Sequence, residues 1–128
     1  MSTTTSGISH ISLVMVPSPD QDKSIAFYVD TLGFEKRTDI PFGGSYRWVE
    51  VYPPNGTTGI ALAPPRENGP VGVETGISLT TADIDATHAE LTSAGVDADE
   101  VARMGDPIPP MFFFRDPDGN TLLIVEEV

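Results

Sequence analysis

Apolar residues recur along this chain first with a period of two, then with a period between three and four, then in three short bursts of period two, and the whole succession is run through twice. Residues 7–16 predict a strand, with Ile8, Ile11, Leu13 and Met15 apolar and Ser9, His10 and Ser12 between them. Pro17-Ser18-Pro19-Asp20 ends it, and Asp20 or Asp22 can cap a helix running to Leu32, because a short side-chain oxygen satisfies an orphan N–H there. Ile25, Tyr28, Val29 and Leu32 share one face of that helix, and Gly33 suits its left-handed C-terminal cap. Short strands follow over residues 34–39, 45–52 and 59–63, with Pro53-Pro54-Asn55-Gly56 as the turn between the last two. After a stretch rich in Pro, Gly and charge over residues 64–72, the order returns. It gives a strand over 76–80 and a helix over 83–94 with Ile84, Thr87, His88 and Leu91 on one face, stopped by Gly95. Strands over 97–102, 111–115 and 121–126 complete it, with Asp116-Pro117-Asp118-Gly119 as the hairpin turn. Each half is therefore βαβββ, and the fold class is α+β: two tandem modules, about 8–63 and 73–127, in one domain spanning residues 1–128.

The repeat also survives in the letters. Gly7-Ile8-Ser9-His10-Ile11-Ser12-Leu13 is answered by Val73-Glu74-Thr75-Gly76-Ile77-Ser78-Leu79, an offset of 66 from Ile11 to Ile77. Leu32-Gly33-Phe34-Glu35 is answered by Ala94-Gly95-Val96-Asp97 at 62, and Pro54-Asn55-Gly56 by Pro117-Asp118-Gly119 at 63. Each half serves as a control for the other, and the comparison sets His10 against Gly76. A seam between duplicated units is a natural place for a pocket.

Composition narrows the partners. A chain of 128 residues with 39% hydrophobic residues can bury one ordinary core. No apolar run reaches the roughly 18 residues a membrane helix needs, and the polar start lacks the charge pattern of a secretory signal. Zero cysteines exclude disulfides and thiolate metal sites, and a cytoplasmic location is the simplest expectation. Nineteen acids against seven basic residues give a net charge of −12, which repels phosphate backbones and anionic lipid, so neither nucleic acid nor a membrane is expected as a partner.

His10-Ile-Ser-Leu-Val14, Phe27-Tyr28-x-x-x-Leu32-Gly33-Phe34 and Phe114-Arg-Asp-Pro-Asp-Gly119 followed by Leu122-Leu-Ile-Val-Glu126 resemble the vicinal oxygen chelate superfamily, the glyoxalase, bleomycin-resistance and extradiol-dioxygenase group. The resemblance spans about residues 8–127. It implies two cupped mixed sheets with helices outside. It also implies a homodimer, in which module one of one chain and module two of the other complete each cup. The superfamily hosts many activities, so function must be argued from the site.

Strand alternation then says what would line the cup. With Ile11 and Leu13 toward the helix, His10, Ser12 and Val14 face inward, as do Gly76, Ser78 and Thr80 in the second half. Val49 and Val51 suit the helix side, leaving Trp48 and Glu50 inside, with Met111 and Phe113 as their counterparts. Ala61 and Ala63, and Leu123 and Val125, complete the lining. Metal-dependent members take four ligands from the first and last strands of the modules. Carried over, those positions are His10, Ala61, Gly76 and Leu123, and only His10 has a lone pair to give. About three protein ligands are needed for a catalytic divalent ion, so neither a metal nor another cofactor is expected. Rescue by His10, Glu50 and a carboxylate from a partner chain is the alternative arrangement.

The remaining motifs are mostly structural. Trp48 is equally open to a core role and to stacking on a flat ligand. In Phe112-Phe113-Phe114, packing accounts for two of three, leaving Phe113 for the pocket. Phe42-Gly43-Gly44 and Pro107-Ile-Pro-Pro110 occupy equivalent rims, the first suited to a lid or a wide turn and the second rigid. His88 is expected at a helix edge with no role, and Asp116 and Asp118 as turn residues. The expected function is small-molecule binding of the bleomycin-resistance type, with no catalytic residue. A bulky, partly aromatic natural product or antibiotic would be sequestered against His10, Ser12, Trp48, Glu50, Ser78, Met111 and Phe113. A glyoxalase-like lyase, isomerase or dioxygenase is the alternative.

Overall fold

Each half of the chain builds one four-stranded sheet and lays one helix against it. The computed structural model describes residues 6–41 and 43–128, so the suggestion that Phe42 forms part of a lid lies outside the described residues. The first module comprises β1 (Leu13–Pro17), α1 (Gln21–Ala26) running on into a π-helical turn (Phe27–Thr31), β2 (Glu35–Pro41), β3 (Arg47–Tyr52) and β4 (Gly59–Ala63). The second comprises β5 (Glu74–Thr81), α2 (Ile84–Ser93), β6 (Asp97–Ala98), β7 (Met111–Arg115) and β8 (Thr121–Glu126). The sheet orders are β1-β4-β3-β2 and β5-β8-β7-β6. β1 and β5 run parallel to β4 and β8, and the other pairs are antiparallel. Among the described residues no helix is long and apolar enough to cross a membrane.

Local chemistry fixes the ends of both helices. Asp20 caps α1 by accepting from the Lys23 amide at 3.1 Å, and Asp83 caps α2 by accepting from the Ala86 amide at 3.0 Å. Gly33 and Gly95 follow the helices at φ of +80° and +85°, a conformation that costs glycine little.

One core serves both modules. Val49, Val51, Ile60 and Leu62 from the first sheet meet Phe112, Phe114, Leu122 and Ile124 from the second, with Tyr28, Phe34, Ile84 and Leu91 between. Polar bonds stitch the same junction. Tyr28 donates to Asp116 Oδ2 at 2.8 Å, Ser24 Oγ donates to Asp118 Oδ2 at 2.7 Å, and Asn120 Nδ2 donates to the Pro17 carbonyl at 2.9 Å. The turn of Asp116, Pro117, Asp118 and Gly119, expected to be structural, therefore anchors the second module to the helix of the first.

The first strand departs from expectation. β1 begins at Leu13, and residues 7–12 are exposed and outside the sheet. Its parity is also inverted: Val14 and Val16 stand beside Ile60 and Leu62 on the helix side, while Leu13 and Met15 stand beside Gly59 and Ala61 on the other. The reason is burial. Val16 is fully buried in the core and Met15 is 68% exposed, so the β-branched residues decide the face. The register gives the true repeat. Met15–Ala61–Glu50 in one sheet matches Ser78–Leu123–Phe113 in the other, so β1 aligns with β5 at 63 (Met15 to Ser78), in step with the turn offset of 63 rather than with 66. Leu13, not His10, is the counterpart of Gly76.

Candidate functional site: the open sheet faces

The face of each sheet turned away from its helix carries the residues singled out for a pocket. In the first sheet, alternation along β3 puts Arg47, Val49 and Val51 on the helix side and Trp48, Glu50 and Tyr52 on the open side. These three form a chain of hydrogen bonds. Trp48 Nε1 donates to Glu50 Oε2 at 2.8 Å, and the Tyr52 hydroxyl donates to Glu50 Oε1 at 2.8 Å. The bond to Glu50, reinforced by burial, holds the Tyr52 phenol above its ordinary titration range. Met15 flanks Ala61 on one side and Glu50 flanks it on the other, and Ile40 lies opposite Trp48.

In the second sheet the open face shows Ser78 and Thr80 of β5, Leu123 and Val125 of β8, and Met111 and Phe113 of β7. Phe112 and Phe114 are buried in the core while Phe113 is 42% exposed, the division expected of a half-buried strand. No carboxylate or indole stands at the positions matching Trp48, Glu50 and Tyr52, which are Met111, Phe113 and Arg115. The first face is thus polar along one strand, and the second is aliphatic and aromatic.

Of the seven expected site residues, five sit on these faces: Trp48 and Glu50 on one sheet, Ser78, Met111 and Phe113 on the other. The inward parity expected for His10 and Ser12 is corrected. Both are exposed and precede β1; His10 Nδ1 is 2.7 Å from Ser9 Oγ, and the Ser12 carbonyl accepts from the Gly59 amide at 2.9 Å. Tyr52 and Met15 were not anticipated. For Tyr52 the sequence does carry a signal, because it shares the parity of Trp48 and Glu50 within one predicted strand. His88 sits at the edge of α2, with Nε2 2.8 Å from the Asp99 carbonyl and its ring edge-on to Phe112.

The seam between modules does hold cavities, on the helix side. One of about 330 Å³ lies among Val14, Thr58, Ile60, Ile77, Ser78 and Leu79, and one of about 280 Å³ among Leu32, Phe34, Leu79, Thr87 and Leu91. Their walls mix core side chains such as Phe34, Ile60, Leu91 and Ile124 with polar groups such as Thr58, Thr80, Thr87 and Glu90.

The donor set for a metal does not fit. With the repeat in register, the four positions implied by the resemblance become Leu13, Ala61, Gly76 and Leu123, and none offers a lone pair. Among the described residues no three His, Asp or Glu side chains come together as a metal site.

Comparison with known proteins gives the same architecture. The sequence model of the Glyoxalase/Bleomycin resistance protein/Dioxygenase superfamily matches residues 7–124. A solved structure of a superfamily member from Sphaerobacter thermophilus DSM 20745 is 40% identical, with a TM-score of 0.84 over 94% of this chain and 98% of that one. TnmS3, an antibiotic binding protein from Streptomyces sp. CB03234, is 35% identical, with a TM-score of 0.83 over 95% of this chain and 98% of that one. The uncharacterized protein YetH of Bacillus subtilis (strain 168) is 28% identical over 93% of this chain and 99% of its own length.

Proposed function

The chain belongs to the Glyoxalase/Bleomycin resistance protein/Dioxygenase superfamily, and on that premise we propose that it is a small-molecule binding protein that sequesters a bulky, partly aromatic natural product or antibiotic without making or breaking a bond. The observation that carries this reading is the pairing of a donor-free set of superfamily metal positions (Leu13, Ala61, Gly76 and Leu123) with two open faces rich in aromatic and aliphatic groups. Affinity comes from burying the ligand against Trp48, Met111, Phe113, Leu123 and Val125, while Ser78 supplies a polar contact of the kind such pockets use for orientation. Likeness to an antibiotic binding protein at 35% identity supports the same ligand class.

Each module contributes only one face. A pocket that covers most of a ligand's surface therefore needs both kinds of face opposed. A second copy supplies them, so the binding unit in this reading is a homodimer with cups between module one of one protomer and module two of its partner.

Equilibrium dialysis tests the proposal. Stripped protein is offered zinc, nickel, manganese and ferrous iron, then a panel of aromatic antibiotics. The expected result is no tightly held ion and stoichiometric uptake of one antibiotic class, recovered unchanged. An ion retained at one per chain, or conversion of the bound compound to product, overturns it.

A further inference from the structure

The geometry points to Tyr52 and Glu50 as positioning residues that fix the plane of the Trp48 indole, making β3 a pre-set stacking ledge for a planar aromatic ring. The inference rests on the binding reading above and reassigns Glu50 from a ligand contact to a support. Residues two apart on a strand stand on one face roughly 7 Å apart, so a carboxylate in the middle position can reach both neighbours at once. Glu50 does so: one oxygen takes the Trp48 indole N–H and the other the Tyr52 hydroxyl, each at 2.8 Å. An indole nitrogen is a donor only and has a single hydrogen to give, so pinning it to a carboxylate sets the orientation of the whole ring system.

The carboxylate needs its own anchor, and Tyr52 provides it. The Tyr52 ring lies against the backbone of Gly59, where an added Cβ would stand 2.6 to 2.9 Å from three ring atoms. The Arg37 guanidinium lies 4.4 Å from the centre of the same ring, a cation–π contact. Arg37 is itself held by Glu35 at 3.0 Å and by the carbonyls of Pro53, Pro54 and Gly56 at 3.3, 3.2 and 2.7 Å. The series Arg37–Tyr52–Glu50–Trp48 thus runs from the β3–β4 turn to the middle of the open face. Pre-organisation of this kind raises affinity by removing rotamers before the ligand arrives. The second module has Met111, Phe113 and Arg115 at the matching positions, so the ledge belongs to the first module alone.

The single tryptophan makes the test direct, since a ¹⁵N-labelled sample gives one indole N–H resonance. Spectra of the ligand-free wild type, Tyr52→Phe and Glu50→Gln are compared. The wild-type resonance is expected to exchange slowly with water. Glu50→Gln should shift it strongly, and Tyr52→Phe should shift it less and speed its exchange. The same proteins are then titrated with 9-aminoacridine, a planar cation, and 9-anthracenecarboxylate, a planar anion of equal ring count. Tyr52→Phe leaves every charge in place, so it should weaken both probes by the same factor, about threefold to tenfold, as expected for one lost hydrogen bond.

A ligand-free indole resonance that neither variant moves overturns the inference. So does a Tyr52→Phe effect confined to the cation, because Glu50 would then be acting as a counter-ion. If neither probe moves the wild-type resonance, the binding reading fails, and the ligand-free spectra still decide whether Tyr52 and Glu50 position the indole.

Discussion

Tyr28 shows how much of this architecture hangs on single side chains. It is fully buried, and its hydroxyl donates across the module junction to Asp116, itself 4% exposed and bonded to the Asp118 and Asn120 amides and to Asn120 Nδ2. Burial, followed by the charge of Asp116, pushes the phenol far above its ordinary value of 10.0. The consequence for stability has a definite sign. Below about pH 10 the phenol is neutral in both states and its contribution is complete. Above it the unfolded chain ionises and the folded one resists, so stability falls as pH rises. Tyr28→Phe should cost about 1–3 kcal/mol at neutral pH, because Asp116 loses a buried donor, and should flatten the fall above pH 10. Urea unfolding at pH 7, 9.5 and 10.5 measures both. An unchanged alkaline slope would mean that other tyrosines carry it. The sequence offered Tyr28 only as an apolar helix position, since its partner is 88 residues away and nothing local announces the pair.

At the scale of elements, strands with apolar residues on one parity were readable and the strand with both was not. In β3, β7 and β8 the buried residues Val49 and Val51, Phe112 and Phe114, and Leu122 and Ile124 alternate as expected, while in β4 Ala61 is buried along with Ile60 and Leu62. The segment Ile11-Ser12-Leu13-Val14-Met15-Val16 is apolar on either reading, and the echo of Ile-Ser-Leu drew it three residues out of step. Only burial of Val16 and pairing with Leu62 resolve it. The π-turn within the first helix was equally hidden, because a helical face tolerates one widened turn without changing which residues are apolar. On β3 the alternation picks out Trp48 and Glu50, yet the bond between them and the place of Tyr52 depend on side-chain geometry that no sequence pattern encodes. Gly59, the first residue of β4, is tightly constrained, as the Tyr52 ring occupies the place of a side chain. Gly59→Ala should destabilise the protein by about 1–3 kcal/mol through overpacking. The same change in a Tyr52→Leu background should cost much less. A double-mutant cycle by thermal unfolding reads the coupling, and additive effects would show that the ring moves aside freely.

Taken as a whole, the molecule buries its helix sides well and leaves its open sheet faces uncovered. On those faces Met15 is 68% exposed and Phe113 42%, Ile8 and Ile11 are exposed ahead of β1, and β1 and β5 are both edge strands. Long exposed edges and clustered apolar groups are features that stable proteins normally cover. Two copies can cover them, but each brings a net charge of −12, so association must overcome like-charge repulsion. The expected dimer therefore tightens with salt, opposite to an assembly held by ion pairs. Raising ionic strength from about 0.01 M to about 1 M shortens the screening length from roughly 30 Å to roughly 3 Å, which removes most of the repulsion while strengthening apolar contact. Sedimentation velocity across that range should show the 13.7 kDa chain shifting toward twice its mass. Met15→Asp should hold it as a folded monomer, because Met15 lies outside the core cluster that both modules share. If aromatic probes bind the dimer and not this monomer, the pocket is shared between chains. If the wild type stays monomeric at every salt concentration and still binds them, the two open faces act independently, and each module must be treated as its own shallow site.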